Sequence, residues 1–295
     1  MDTRGSPANR GFEQLDSATD IPLKNILRYT LAKKGLSTTM EIRHYVQAME
    51  KAAQTVSKHD YLWQQQKLNP EVLKLLNRNY LKRFYDGQAA IPWYRYLVMA
   101  IAGSRAEISN SEEDQQVYGE RINKYRKQGA RTNLSVVYDV FNQFLLDIGI
   151  HHYHSSEIAE AKTHIGALKA ILGERPGLII SDRHYESLEF VDFLEDSGVK
   201  YLVRLHKGHY EVEKAQMSSA DEEVELVFTR ARLGHLRAKS PERMRELSEQ
   251  KSKRVRILKT KFVNGEEAAF ITNVREGTMA QILRLYRRLW AIAQT

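Results

Sequence analysis

Residues 178–205 read LIISDRHYESLEFVDFLEDSGVKYLVRL. The apolar run Leu178, Ile179 and Ile180 ends in Ser181 and Asp182, Leu188, Val191 and Leu194 recur at helical spacing, and Gly198 stands where that helix must stop. A second apolar run, Lys200 to Leu205, follows. Strand, helix and strand over so short a span spell a right-handed βαβ unit, which commits the chain to at least one parallel strand pair.

Working outward, Leu134 to Tyr138 and Phe144 to Ile150 predict two strands joined by a short connection, an antiparallel pair. The compact run Tyr94 to Ile101 (YRYLVMAI), just ahead of Gly103, predicts a buried strand. Ile158, Ala161, Ile165, Leu168 and Leu172 form one helical stripe, with Glu157 and Glu160 at the positive end of its dipole. Downstream, VELVFTRAR and KRVRILKTKF are strand-like, and Asn264-Gly265 before EEAAFITNV is a hairpin signal. Ile282, Leu285, Leu289 and Ile292 close the chain as a helix. Antiparallel strands early and a parallel crossover later give a mixed sheet with helices on it, so the class is α/β.

Before that sheet, residues 20–88 read as helical. Leu23, Ile26, Leu27 and Leu31 precede Gly35; Thr38 and Glu41 form a capping-box pattern ahead of Ile42, Tyr45, Val46 and Met49; Asn69-Pro70 opens a helix with Leu73, Leu76, Tyr80 and Phe84. Residues 1–19 carry Gly, Ser, Pro and Asn without an apolar period and read as a flexible lead-in. The organisation is therefore 1–19, a helical and DNA-binding candidate domain over 20–88, and a sheet domain over 89–295 with a strand-rich insertion at about 206–275.

Composition narrows the function. At 295 residues, 42% apolar and 28% charged, the chain has enough apolar mass for a core, which excludes a mainly disordered protein. The net charge of +8 favours polyanionic partners. No cysteine is present, which removes disulfides, thiolate metal sites and a thiol nucleophile. The N-terminus lacks the apolar stretch of a signal peptide and no run reaches membrane-spanning length, so a cytoplasmic protein without membrane contact is expected.

Asp182 follows a strand directly, at the edge of an α/β sheet where sites form, although an Asp there is also a common helix cap. His151, His152 and His154 alternate faces on a strand and do not make a ligand set by spacing. There is no phosphate-binding glycine loop and no Gly-x-Ser-x-Gly element.

The segment LIISDRHYES ahead of KYLVRL resembles the second-aspartate region of DDE transposases of the insertion-sequence-4 family. The resemblance extends, in order, through LNPEVLKLLNRNYLKRFY (68–85), YRYLVMAIAGS (94–104), ARTNLSVVYDVFNQFLLDIGIHHYHSSE (130–157) and LYRRLWAI (285–292). It implies a ribonuclease-H-like domain with a strand-rich insertion after the second aspartate, preceded by a helical domain. It also implies metal-dependent DNA cleavage and strand transfer at mobile-element ends, with two Asp and one Glu holding two magnesium ions; hard cations take oxygen ligands, and such a pair stabilises both oxygens of an in-line displacement.

This sequence departs from the family at two of those three carboxylates. Ala102 stands where the first aspartate precedes Gly103-Ser104, and Ala293 stands at the third position, after Tyr286 and Leu289 of the family's Tyr, Arg, Glu, Lys series, whose last member falls beyond Thr295. Asp182 remains as catalytic and metal ligand; Glu107 and Asp114 follow the first strand rather than end it and are not expected to replace the lost groups. The expectation is a C-terminally truncated, inactive transposase relative for which magnesium binding is doubtful, or else a non-catalytic DNA-binding remnant that regulates or inhibits transposition. Tyr286, Arg287 and Arg288 are its candidate DNA contacts. Its partners would be mobile-element ends and a second copy or an intact transposase.

Overall fold

The computed structural model describes residues 22–48, 57–87, 90–123, 126–234 and 236–292. The lead-in and Ala293 lie outside them. The chain divides into two compact units, Met1–Tyr80 and Leu81–Thr295.

In the first unit, helices α1 (Leu23–Leu31), α2 (Thr38–Ala48) and α3 (Lys58–Gln66) meet through Ile26, Tyr29, Ile42 and Tyr61. The Tyr29 ring stands edge-on to Tyr61 at 4.0 Å and to Tyr45 at 5.5 Å, and burial pushes its phenol up to about 12. The expected capping box is not formed as read. Glu41 is buried and accepts from the backbone N–H of Lys34 at 2.6 Å and Leu36 at 2.8 Å, so it ties down the preceding loop instead.

Helix α4 (Glu71–Asp86) starts where Asn69 accepts from the Glu71 N–H at 3.0 Å. Its buried positions are Val72, Leu81 and Tyr85, whereas Leu76 and Tyr80, expected inside, are 41% and 58% exposed. The apolar stripe is thus displaced round the helix from the expected one.

The second unit holds the sheet. Its elements in chain order are β1 (Leu97–Glu107), α5 (Glu112–Tyr118), β2 (Glu120–Asn123), β3 (Arg126–Asp139), β4 (Phe144–His152), α6 (Glu157–Leu172), β5 (Gly177–Ser181), α7 (Leu188–Asp196) and β6 (Lys200–Arg204). An insertion follows: α8 (Glu211–Gln216), β7 (Asp221–Val227), α9 (Arg230–Leu233), α10 (Leu236–Lys239), α11 (Pro241–Gln250), β8 (Ser252–Lys261) and β9 (Glu267–Thr272). Helix α12 (Met279–Ile292) ends the series.

Among the described residues the sheet order is β2-β3-β1-β5-β6-β9-β8-β7, with β4 on β3. β3 runs antiparallel to both of its neighbours β4 and β1, while β1, β5 and β6 run parallel, β5 and β6 through the βαβ crossover. A ribonuclease-H-like core is this arrangement, and β9, β8 and β7 extend it by an antiparallel edge supplied by the insertion.

Strand periodicity sorts the core into two faces. Leu97, Met99, Ile101, Ile179, Tyr201 and Val203 point to the face covered by α6 and α7, through Ala161, Ile165, Leu168, Val191 and Leu194. Val98, Ala100, Leu178, Ile180 and Leu202 point to the other, covered by Ile282, Leu285, Tyr286 and Leu289 of α12. Both faces are apolar because both are covered, which is why the central strands read as continuous hydrophobic runs.

Candidate active site and a flanking basic groove

The parallel pairing Leu97↔Gly177 to Ala100↔Ile180 fixes what lies at the strand ends. Asp182 keeps extended backbone (φ −82°, ψ −176°), so two further steps of the same register set it beside Ala102. Neighbouring strands are roughly 4.8 Å apart. By the same alternation Ala102 and Asp182 belong to the α12 side of the sheet, on which Tyr286 packs.

Asp182 is one-third exposed and caps the short 3-10 turn Arg183–Tyr185: its Oδ1 accepts from the His184 N–H at 2.8 Å, and its Oδ2 lies 3.0 Å from His184 Nδ1. The cap and the site position therefore coincide in one residue. Tyr286 is 2% exposed, with its ring 4.6 Å from Phe270. Arg287 and Arg288 are exposed, and the Arg288 guanidinium sits 4.4 Å over the ring of Phe141. Glu107 pairs with Arg131, and Asp114 accepts from Ser111 Oγ at 2.8 Å. Among the described residues no three His, Asp or Glu side chains converge to hold a metal ion.

On the opposite face, Glu157 at the start of α6 lies against Gly103. A Cβ built at Gly103 would stand 3.3 Å from Glu157 Oε2 and 3.5 Å from Tyr185 Oη. Tyr185 is buried and its hydroxyl has no hydrogen-bond partner among the described residues, as is true of the buried Ser181 Oγ. Burial raises the Tyr185 phenol well above its ordinary range, reinforced by the charges of Glu157, Asp182 and Glu160. Glu160 is itself engaged by Asn133 Nδ2 at 3.0 Å and by Ser155.

A second constellation was invisible in the sequence. Ser135 on β3, His164 on α6 and Asp147 on β4 form a chain, with His164 Nε2 3.0 Å from Ser135 Oγ and Nδ1 2.7 Å from Asp147 Oδ2. The connectivity is that of an activated nucleophile, but Ser135 is wholly buried, so no substrate reaches it. Its role is to satisfy polar groups between α6 and the sheet.

Beside Asp182 runs a groove of about 1040 Å³ lined by Arg183, Arg204, His206, Lys207, Lys259 and Lys261 among others. Arg204 is paired with Glu266, whereas Arg183, Lys207 and Lys261 have no carboxylate partner among the described residues. No helix among the described residues is long and apolar enough to cross a membrane.

The family described as transposase DDE domain matches residues 98–292. Similar solved structures include a piggyBac transposase synaptic complex with hairpin DNA, at 10% identity and a TM-score of 0.45 over 92% of this chain and 57% of that one. A Mos1 transposase paired-end complex with left transposon end gives 14% and 0.26, and a pre-cleavage Mos1 transpososome 12% and 0.24, each over 66% of this chain and 63% of the other. The chain thus spans 57% to 63% of the length of these structures. No curated protein matches it.

Proposed function

Since this chain belongs to the transposase DDE domain family, we propose that it is an insertion-sequence-4-type member that binds mobile-element ends but does not cleave them by the family's two-metal route. What supports this reading is Ala102: carried two steps past the last paired residues, Ala100 and Ile180, the register sets it level with Asp182, and its methyl group offers no oxygen to a cation. The fit to two magnesium ions fails on the same ground, because hard divalent cations need several oxygen ligands and the described residues bring no three carboxylates together. Asp182 is the surviving ligand of the family set, with Ala102 and Ala293 at the lost positions.

DNA is the partner in this reading. Arg183, Lys207 and Lys261 in the groove, without a carboxylate partner among the described residues, and exposed Arg287 and Arg288 on α12, suit phosphates, while buried Tyr286 supports α12 from within. A second copy or an intact transposase would share the complex, and the cytoplasm, where such DNA lies in a cell without a nucleus, is its place of action. Binding without cleavage makes the protein a regulator or inhibitor of transposition.

The test is magnesium- and manganese-dependent nicking of DNA bearing the element's ends, run beside a gel-shift assay on the same DNA. A salt-sensitive shift without nicking is expected. Nicking that disappears in Asp182→Ala would overturn the proposal.

A further inference from the structure

The loop that leaves β6 for the insertion is built round one buried carboxylate. Glu186, at the end of the short turn that Asp182 caps, is 7% exposed. Its Oε2 accepts from the backbone N–H of His206, and its Oε1 lies 3.0 Å from His209 Nδ1 and 3.7 Å from His206 Nε2. The loop is held from two further sides: the His209 N–H donates to the His206 carbonyl at 3.1 Å, and Lys214 Nζ of α8 donates to the Lys207 carbonyl at 2.9 Å. The backbone of residue 206 is thus fixed, while its ring is too far from Glu186 for a hydrogen bond and about half exposed. That ring lines both the basic groove and a second cavity of about 1100 Å³.

The fixed charges round the two cavities lean positive. The turn after β5 brings Arg183, His184 and Glu186, and the loop itself brings Lys207 and His209. From α8 come Glu211 and Lys214, paired at 2.7 Å; Arg204 of β6 is paired with Glu266, and β8 and β9 add Lys259, Lys261 and Glu267. On the side of the second cavity Lys162 pairs with Glu189 and Arg232 with Glu213, and the Tyr210 phenol, pushed up to about 12 by burial, stays neutral.

We propose that His206 is a proton-gated phosphate contact of the basic groove, an inference that rests on the reading that this groove takes DNA. Histidine is the side chain whose charge ordinarily changes between about pH 5 and pH 8. Protonated, the imidazole adds a cation to the groove of Arg183 and Lys207 and donates an N–H to a phosphate oxygen; neutral, it leaves the groove one cation short. DNA-bound chain therefore holds more protons than free chain, and affinity rises as pH falls.

The experiment follows binding of the full chain to a fluorescein-labelled DNA duplex of arbitrary sequence, by anisotropy without divalent metal, over a salt series at about pH 8 and about pH 5.5. Arbitrary sequence suffices because a phosphate contact carries no base information. One such contact adds about 0.9 to the steepness of log K against log salt, equivalent to about tenfold in affinity at about 0.1 M salt. A steepening and a gain of that size are expected at the lower pH. His206→Gln should lose the gain, and His206→Lys, charged throughout, should bind at about pH 8 as tightly as the unmodified chain does at about pH 5.5, with circular dichroism verifying that each variant is folded. A gain undiminished in His206→Gln, or a His206→Lys chain no tighter than the unmodified one at about pH 8, overturns this inference and leaves the DNA reading standing. No binding at either pH overturns both.

Discussion

Asp182 and Asp192 lie ten residues apart on the same βαβ unit and face opposite circumstances. Asp192, on α7, is buried and surrounded by cations: Lys253 of β8 lies 2.8 Å from its Oδ1, and Arg243 of α11 donates to its Oδ2 and also reaches Asp196 at 2.5 Å. It clamps the insertion to the sheet domain. Asp182 is half-open at a strand end, with a histidine of its own turn as its partner. The difference teaches that residue type and strand position do not separate a structural aspartate from a candidate ligand; compensation by fixed cations does.

The largest expected effect breaks the compensated member. Asp192→Ala leaves buried Lys253 with Glu195 alone and should destabilise the chain by about 3–5 kcal/mol, read as a fall in the urea midpoint. Asp182→Ala removes a cap from one short turn and should cost no more than about 1 kcal/mol. Equal losses in the two variants would abolish the distinction.

Tyr85→Phe comes next. Asp139 is fully buried and accepts from Tyr85 Oη at 2.6 Å, from the N–H groups of Phe141 and Asn142 at 3.0 Å each, and from Asn142 Nδ2 at 2.9 Å. Removing one of four donors to a buried charge should cost about 1.5–3 kcal/mol, measured by denaturant unfolding.

The same residue supplies a pH test. Burial, and then the bond to Asp139, raise the Tyr85 phenol above its ordinary range. Its folded value exceeds the unfolded one, so its contribution is complete below about pH 10 and is lost as pH rises beyond that. Stability should therefore fall above about pH 10, and Tyr85→Phe should make that fall shallower by roughly 1.4 kcal/mol per pH unit. An unchanged slope would place the phenol in water.

How much of this was legible depends on how local the signal was. The βαβ unit and the Asn264-Gly265 hairpin between β8 and β9 each sit within one stretch of chain, and both were read correctly. β1 was expected from Tyr94 to Ile101 but runs from Leu97 to Glu107. Tyr94 takes a positive φ of 53° in a turn bridged by Trp93 and Tyr96, and the long partner β3 carries residues 102–107, which lack an apolar run, in register. Helices α8 to α11 were missed inside a span read as strand-like, because short charged helices show little apolar period. The contact of Glu157 with Gly103, and the Ser135, His164 and Asp147 chain, join residues on separate elements, so no spacing in the sequence announces them.

The smallest effect on stability sharpens the functional side of the comparison. Arg287 and Arg288 are exposed on α12, and exposed arginines hold their charge for whatever approaches from solvent. Alanine at either should change stability by no more than about 0.5 kcal/mol, though Arg288 also loses its stacking on Phe141. If they meet phosphates, each substitution should weaken end-DNA binding uniformly across sequences and reduce the salt dependence of log K by about one unit. A salt slope identical to the unmodified chain's would assign the DNA contacts to the groove of Arg183, Lys207 and Lys261 alone. Asp182 would then lie at the edge of the DNA path rather than between two banks of cations.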